Sequence, residues 1–201
     1  MVNSELLLQL IQALSETVDA KDKYTSGHSK RVAKYASMIA AAMGKEDDYV
    51  NQTYRAGLLH DVGKIRIPVE IINKPSRLTD EEFQIIRLHT ISGYHITCNI
   101  SAAPEIALAA KYHHERYDGK GYPDGIAGED IPEIARIIGV ADAYDAMASN
   151  RSYRSALPQD VIRKEIEKGI GLQFDPLPAR AMLNLMGSDT DYTLRQAEMQ
   201  P

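Results

Sequence analysis

Histidines and carboxylates recur in short phrases along the whole chain, and this scatter constrains the fold more than any other feature. Five of the six histidines of the 201-residue chain are His28, His60, His89, His113 and His114; Asp61 is adjacent to His60, and Asp142 lies downstream. Imidazole and carboxylate are ligands of Zn, Fe, Mn and similar divalent ions, and no cysteine stands among these seven residues. Sequence neighbours do not share a helix face, so the pairs His60-Asp61 and His113-His114 point at different ions, and Asp61 suits a bridging role. Read this way, the chain is a two-metal hydrolase.

The rest of the composition narrows the architecture. With 44% hydrophobic residues, two Phe, eleven Tyr and no Trp, the core must come from Leu, Ile, Val, Ala and Met, a palette suited to helices. The length fits one well-filled core. The single cysteine, Cys98, excludes an internal disulfide and fits a reducing cytoplasm, where we expect the protein. No apolar run approaches the roughly 20 residues of a membrane span, and no signal pattern follows Met1. A net charge of −5 argues against binding a nucleic-acid polymer. Local charge differs: Lys64, Arg66, Lys74 and Arg77 follow Asp61 closely, so a phosphate substrate stays open.

Hydrophobic spacing predicts helices over about residues 4–20, 28–43 (with Gly44 as its stop), and 47–60, the last ending at His60-Asp61. Pro68 opens a short helix. Thr79 and Glu82 form a capping box ahead of a helix carrying Phe83, Ile86 and His89. Further helices run from Pro104 to about His113-His114, from Pro132 to Met147, and over about 158–168 and 176–186. Glycines and prolines break regular structure over 117–132, where a short hairpin is compatible with the pattern. The expectation is an all-α, single-domain helical bundle: residues 1–187 form the catalytic domain, with a helix in 1–24 packed on it, and 188–201 form a polar tail. The leucine-rich face of residues 6–18 packs on the core; its alternative use is a homodimer seam.

The candidate ligands fall on five elements, which is how a metal centre is built inside a bundle. Asp142 lies in the apolar run Ile137–Ala146, where an unpaired carboxylate is costly. Asp145, one turn later, is assigned to the site on the same ground. A lone helical histidine is more often a packed or solvated residue than a ligand. We give that assignment to His95, six residues after His89.

Several phrases carry a resemblance. His60-Asp61-Val62-Gly63-Lys64, His89-Thr90-Ile91-Ser92-Gly93, His113-His114-Glu115 through Gly121-Tyr122-Pro123, Ala141-Asp142-Ala143-Tyr144-Asp145 and Phe174-Asp175-Pro176 together resemble the HD-GYP family, in its order, over about residues 25–187. The resemblance implies an HD-type fold and hydrolysis of the bacterial second messenger cyclic di-GMP to linear pGpG, with GMP as a further product, through attack by a metal-bridging hydroxide. It implies His28, His60, Asp61, His89, His113, His114 and Asp142 as metal ligands, with iron or manganese favoured and Zn, Co or Ni also compatible. Lys64 matches a contact to the scissile phosphate, and Asp145, Arg151 and Arg154 match positions linked to site charge and substrate binding. Tyr122 is an aromatic substrate contact, and the Gly121-Tyr122-Pro123 loop is a surface for protein partners. Some members hold a third ion through a glutamate four residues before the first histidine. Here that residue is Tyr24, a poor ligand at neutral pH, so two ions are expected. Ser152 stands where the family often has proline. Two alternatives remain: a hydrolase of another nucleotide such as cyclic GMP-AMP, and a silent cyclic di-GMP sensor.

Overall fold

Each element starts or stops where its local sequence dictates. A computed structural model describes residues 4–22, 27–149 and 155–189. Among them are nine helices: α1 (Ser4–Asp19), α2 (His28–Ala42), α3 (Asp47–Leu59), α4 (Val69–Ile72), α5 (Asp80–Thr97), α6 (Pro104–Tyr112), α7 (Glu133–Ala148), α8 (Gln159–Gly169) and α9 (Pro176–Ser188). Short 3-10 turns occupy Val62–Arg66 and Gly128–Asp130. The Thr79 hydroxyl accepts from the Glu82 amide while the Glu82 carboxylate accepts from the Thr79 amide, so two otherwise orphaned donors at the start of α5 are satisfied. Asp175 caps α9 by accepting from the Leu177 amide. Pro68 and Pro132 stand one position outside the helices they introduce, at the caps of α4 and α7.

Helix α2 is the axis of the fold. One of its faces packs Val32, Ala36 and Ile39 against Ile137, Ile138, Ala141 and Tyr144 of α7, with Ile162 and Ile166 of α8 and Met182 of α9 closing that core. Ala33 belongs to a second cluster with Ile11 and Val18 of α1, Leu58 and Leu59 of α3, and Ile106 of α6. The site grows where the ends of α2, α3 and α6 meet the flanks of α5 and α7.

Two expectations need correction. Residues 117–132 form no hairpin. Gly119, Gly125 and Gly128 turn the chain at φ values of 76, 69 and 58°, and the Tyr117 and Asp118 amides donate across to Gln173 and Leu172. No strand occurs among the described residues; a single bridge pairs Ile170 with Phe174. The leucines of α1 also divide. Ile11 and Val18 are buried, but Leu6, Leu10 and Leu14 are 49, 59 and 37% exposed, because only one stripe of the helix fits against the core. No helix among the described residues is long and apolar enough to cross a membrane.

Candidate metal centre

The elements deliver their polar side chains to one point from five directions. His28 is the first residue of α2, His60 caps the C-terminus of α3, and His89 sits in the middle of α5. His113 caps α6 with His114 following, and Asp142 lies within α7. His28, His60, Asp61, His89 and His113 are all at most 5% exposed. The turn after Asp61 is forced close to α5: a Cβ on Gly63 would stand 1.9 Å from the His89 carbonyl oxygen, so only glycine lets the two ligand segments touch.

The ligand atoms sort into two groups. One comprises Asp61, His89, His113 and His114, the other His28, His60 and Asp142, with the atoms of each group within 4.8 Å of one another. Asp61 faces both. Its Oδ1 lies 3.3 Å from His89 Nε2 and 3.8 Å from His113 Nε2, and its Oδ2 lies 3.4 Å from His60 Nε2 and 3.6 Å from His28 Nε2. Asp142 Oδ1 is 3.4 Å from His28 Nε2.

Hydrogen bonds behind the rings fix which nitrogen faces inward. The Nδ1–H groups of His60, His89 and His113 donate to the carbonyls of Gly57, Ile86 and Ala109 at 2.7, 2.6 and 2.9 Å. A carbonyl can only accept, so Nδ1 carries the proton and the Nε2 lone pair points to the centre. His28 Nδ1 donates to Asp145 Oδ2 at 2.7 Å. Metal-binding imidazoles are supported from behind in this way. The inward atoms His60 Nε2 and Asp61 Oδ1 are buried without a hydrogen-bond partner. Orphaned buried polar atoms are costly, and here they converge with a donor set of nitrogen and oxygen that suits divalent ions. The residues therefore fit two ions.

The charge states of His89, His113, His114 and Asp61 agree with that chemistry. His28 differs: burial lowers it, but Asp145 and Asp61 raise it to about 9, so it must give up a proton to bind an ion. Burial lowers His114 to about 3, with the nearby His89 ring adding to it, and keeps His89 and His113 below their ordinary value, so these rings stay neutral. Burial opposes the ionised form of Asp61, but Lys64 and the rings of His60 and His28 outweigh it and hold the carboxyl well below the carboxylate range. Burial also works against the charge on Lys64, and Asp61, at 2.6 Å, overcomes it.

A cleft of about 720 Å³ opens from His113, His114 and Asp142, within the roughly 300–1,000 Å³ of small-ligand sites. Its walls carry Arg87, Arg116, Lys120, Tyr122 and Phe83. Tyr122 is held in a column: its ring lies 4.9 Å from that of His114, and Arg87 lies over it at 4.6 Å. Gly121 admits this loop, since a Cβ there would meet Arg116 N at 2.3 Å. Glu115 Oε1 accepts from the Asp124 and Gly125 amides at 2.7 and 3.0 Å and pins the loop from beneath.

The structure thus gathers all seven candidate ligands with Lys64, and places Tyr122 in the cleft wall. Asp145 sits behind His28, 1% exposed, with its oxygens engaged by His28 and Arg31 rather than facing the cleft. His95, left out of the site, lies on α5 with its ring against Tyr94. Tyr24, Arg151, Ser152, Arg154 and 190–201 of the tail lie outside the described residues. Arg31, Arg87, Arg116 and Lys120 escaped the sequence reading. Arg31 had one usable signal, standing one turn after His28 on the same face.

Comparison with known proteins shows the family and the fold. The HD domain family matches residues 12–177. A cyclic di-GMP phosphodiesterase of Thermotoga maritima is 36% identical over 197 residues, 96% of this chain and 53% of that protein. A 3′3′-cGAMP-specific phosphodiesterase of Vibrio cholerae is 37% identical over 167 residues, 83% of this chain and 36% of that protein. Among solved structures, Bd1817 of Bdellovibrio bacteriovorus, described as an HDG"Y"P protein, superposes with a TM-score of 0.68 at 19% identity over 83% of this chain and 54% of that one. The chain belongs to the HD domain family and carries the phrases of its HD-GYP branch. It spans about half the length of the Thermotoga relative and less of the Vibrio one.

Proposed function

We propose that the chain is a metal-dependent phosphodiesterase that hydrolyses cyclic di-GMP to linear pGpG, with GMP as a further product. The observation that carries this is Asp61, whose two oxygens face two separate histidine groups, three of whose members, His113, His114 and Asp142, line the cleft. His89, His113, His114 and Asp61 Oδ1 would hold one ion, and His28, His60, Asp142 and Asp61 Oδ2 the other. Iron or manganese is the favoured pair; Zn, Co and Ni share the ligand preference. When bound, such ions supply Lewis acidity and lower the pKa of water toward neutrality.

The chain's own groups do the rest. Lys64, held charged beside Asp61, donates to a non-bridging phosphate oxygen and offsets charge as it develops. Arg87 and Lys120 give the cleft wall positive charge for a substrate with two phosphates. Arg151 and Arg154, by their match to the family, would take the second phosphate or a guanine edge, for which guanidinium is well shaped. Asp145 orients His28.

The test is product analysis by mass spectrometry after anaerobic purification and elemental analysis, with cyclic di-GMP, 3′3′-cGAMP and cyclic di-AMP as substrates. Linear pGpG is the expected product. Intact cyclic di-GMP beside cleaved 3′3′-cGAMP would favour the second reading, a cyclic GMP-AMP hydrolase, which rests on the 37% identity to the Vibrio enzyme.

A further inference from the structure

Lys21 sits two residues beyond the C-terminus of α1, 43 residues before Lys64. Its ammonium donates to three backbone carbonyls, those of Lys64 at 3.3 Å, Ile65 at 2.7 Å and Ile67 at 2.5 Å. A lysine has three N–H donors, so every one is used and none remains for a substrate phosphate. All three acceptors belong to the short stretch that leaves Asp61 and carries Lys64.

That stretch needs fixing from outside. A 3-10 turn has poorer hydrogen-bond geometry than an α-helix and leaves carbonyls unpaired at its end. At its two ends the Lys64 amide donates to Asp61 O at 2.9 Å and the Ile67 amide to Lys64 O at 3.0 Å. Burial holds the stretch at Val62, Gly63 and Ile67, but Ile65 between them is 45% exposed. Its front is pinned where Gly63 meets α5. Lys21 supplies a cation at the negative end of the turn, where a positive charge is favoured. Lys21 is itself anchored: its carbonyl accepts from Asn73 Nδ2 at 2.9 Å, just past α4.

We propose that Lys21 is a positioning residue for Lys64: its tripod on the Lys64, Ile65 and Ile67 carbonyls sets the reach of the Lys64 ammonium toward Asp61 and the substrate phosphate. This rests on the phosphodiesterase reading for its kinetic consequence, but not for its structural one.

Two measurements on full-length protein separate those consequences. Hydrogen exchange on a peptide covering residues 60–68 needs no substrate. Lys21→Met, which keeps the aliphatic stem, is expected to speed exchange there by about ten-fold while peptides of α7 stay unchanged. The kinetic arm is a double-mutant cycle on manganese-loaded protein, using bis(p-nitrophenyl) phosphate beside cyclic di-GMP. Lys21→Met is expected to lower kcat by about ten-fold with KM and metal content kept, because a misplaced group costs turnover. In a Lys64→Ala background the same change should cost less than about two-fold. Lys21→Arg, whose planar fork fits a convergent tripod poorly, should fall between wild type and Lys21→Met. Unchanged exchange in 60–68 would overturn the proposal. So would an equal kcat loss in both backgrounds, which would place the effect of Lys21 away from Lys64.

Discussion

The ring of His28 is held from behind by Asp145, whose Oδ2 accepts from His28 Nδ1 at 2.7 Å. Arg31 donates to the same carboxylate through Nε at 2.6 Å, so Asp145 is fixed from its far side. A carboxylate behind an imidazole sets the tautomer and raises the basicity of the inward nitrogen. Asp145→Asn keeps the volume and removes the charge. It is expected to weaken the His28, His60 and Asp142 site by roughly 10–100-fold, with a parallel loss of turnover. Chelator-competition titration followed by elemental analysis checks this: one ion should leave well before the other. Two ions of unchanged affinity would contradict the role of Asp145.

Asp61 is the one ligand shared by both groups, so its loss should differ in kind. Asp61→Ala removes the acceptor for both metal positions and leaves Lys64 without its partner at 2.6 Å. The expected result is protein with neither ion and with activity at background, and with lowered stability, because the Lys64 ammonium and the His28 ring lose a counter-charge. Circular dichroism verifies the fold, and elemental analysis counts the ions. Activity surviving this change would place the chemistry elsewhere.

The candidate ligands were readable in the sequence because few residue types bind divalent ions and their phrases are short. The start of α5 was readable for a similar reason, since Thr79 and Glu82 signal to each other across three residues. Interactions over long separations were not. Arg31 meets Asp145 across 114 residues, and Lys21 reaches Ile67 across 46, so neither has a local pattern. Arg87 and Lys120 look like any solvated cation until the cleft assembles around them. The hairpin expectation failed because glycine and proline show where regular structure stops, not what replaces it. The leucines of α1 exceed what one face can bury, so composition alone overstated its packing.

Acid should destabilise the metal-free protein in a defined window. Burial, with the His89 ring adding to it, lowers His114 from 6.5 to about 3. Below 6.5 the unfolded chain takes up a proton that the folded chain refuses, so stability falls as pH drops toward that lower value. At about pH 5 this amounts to on the order of 2 kcal/mol from His114 alone. His28 has the opposite sign. Burial lowers it, but Asp145 and Asp61 outweigh this and raise it to about 9, so its contribution is complete below 6.5 and is lost as pH rises through 9. Urea denaturation in chelator, compared between about pH 6.5 and pH 5, should show the loss, and His114→Gln should reduce it. A curve identical for the two proteins would refute the neutral buried ring.

Tyr122 lies between His114 and Arg87, with the edge of Phe83 at 6.2 Å, so its ring serves the cleft wall by holding its neighbours. Tyr122→Phe keeps the ring, and its turnover should stay within about two-fold of the parent. Tyr122→Ala removes the contact to His114 and frees Arg87, a loss of about 1–2 kcal/mol from ring and cation–π contacts. That corresponds to roughly a 5- to 30-fold rise in KM for cyclic di-GMP. A small substrate such as bis(p-nitrophenyl) phosphate does not extend along the wall, so its KM should move less than that of the cyclic dinucleotide. Steady-state kinetics on both substrates decides the matter. An equal rise for the two would mean that Tyr122 acts through His114 alone, whereas a selective rise assigns Arg87 and the aromatic column to the distal half of the substrate.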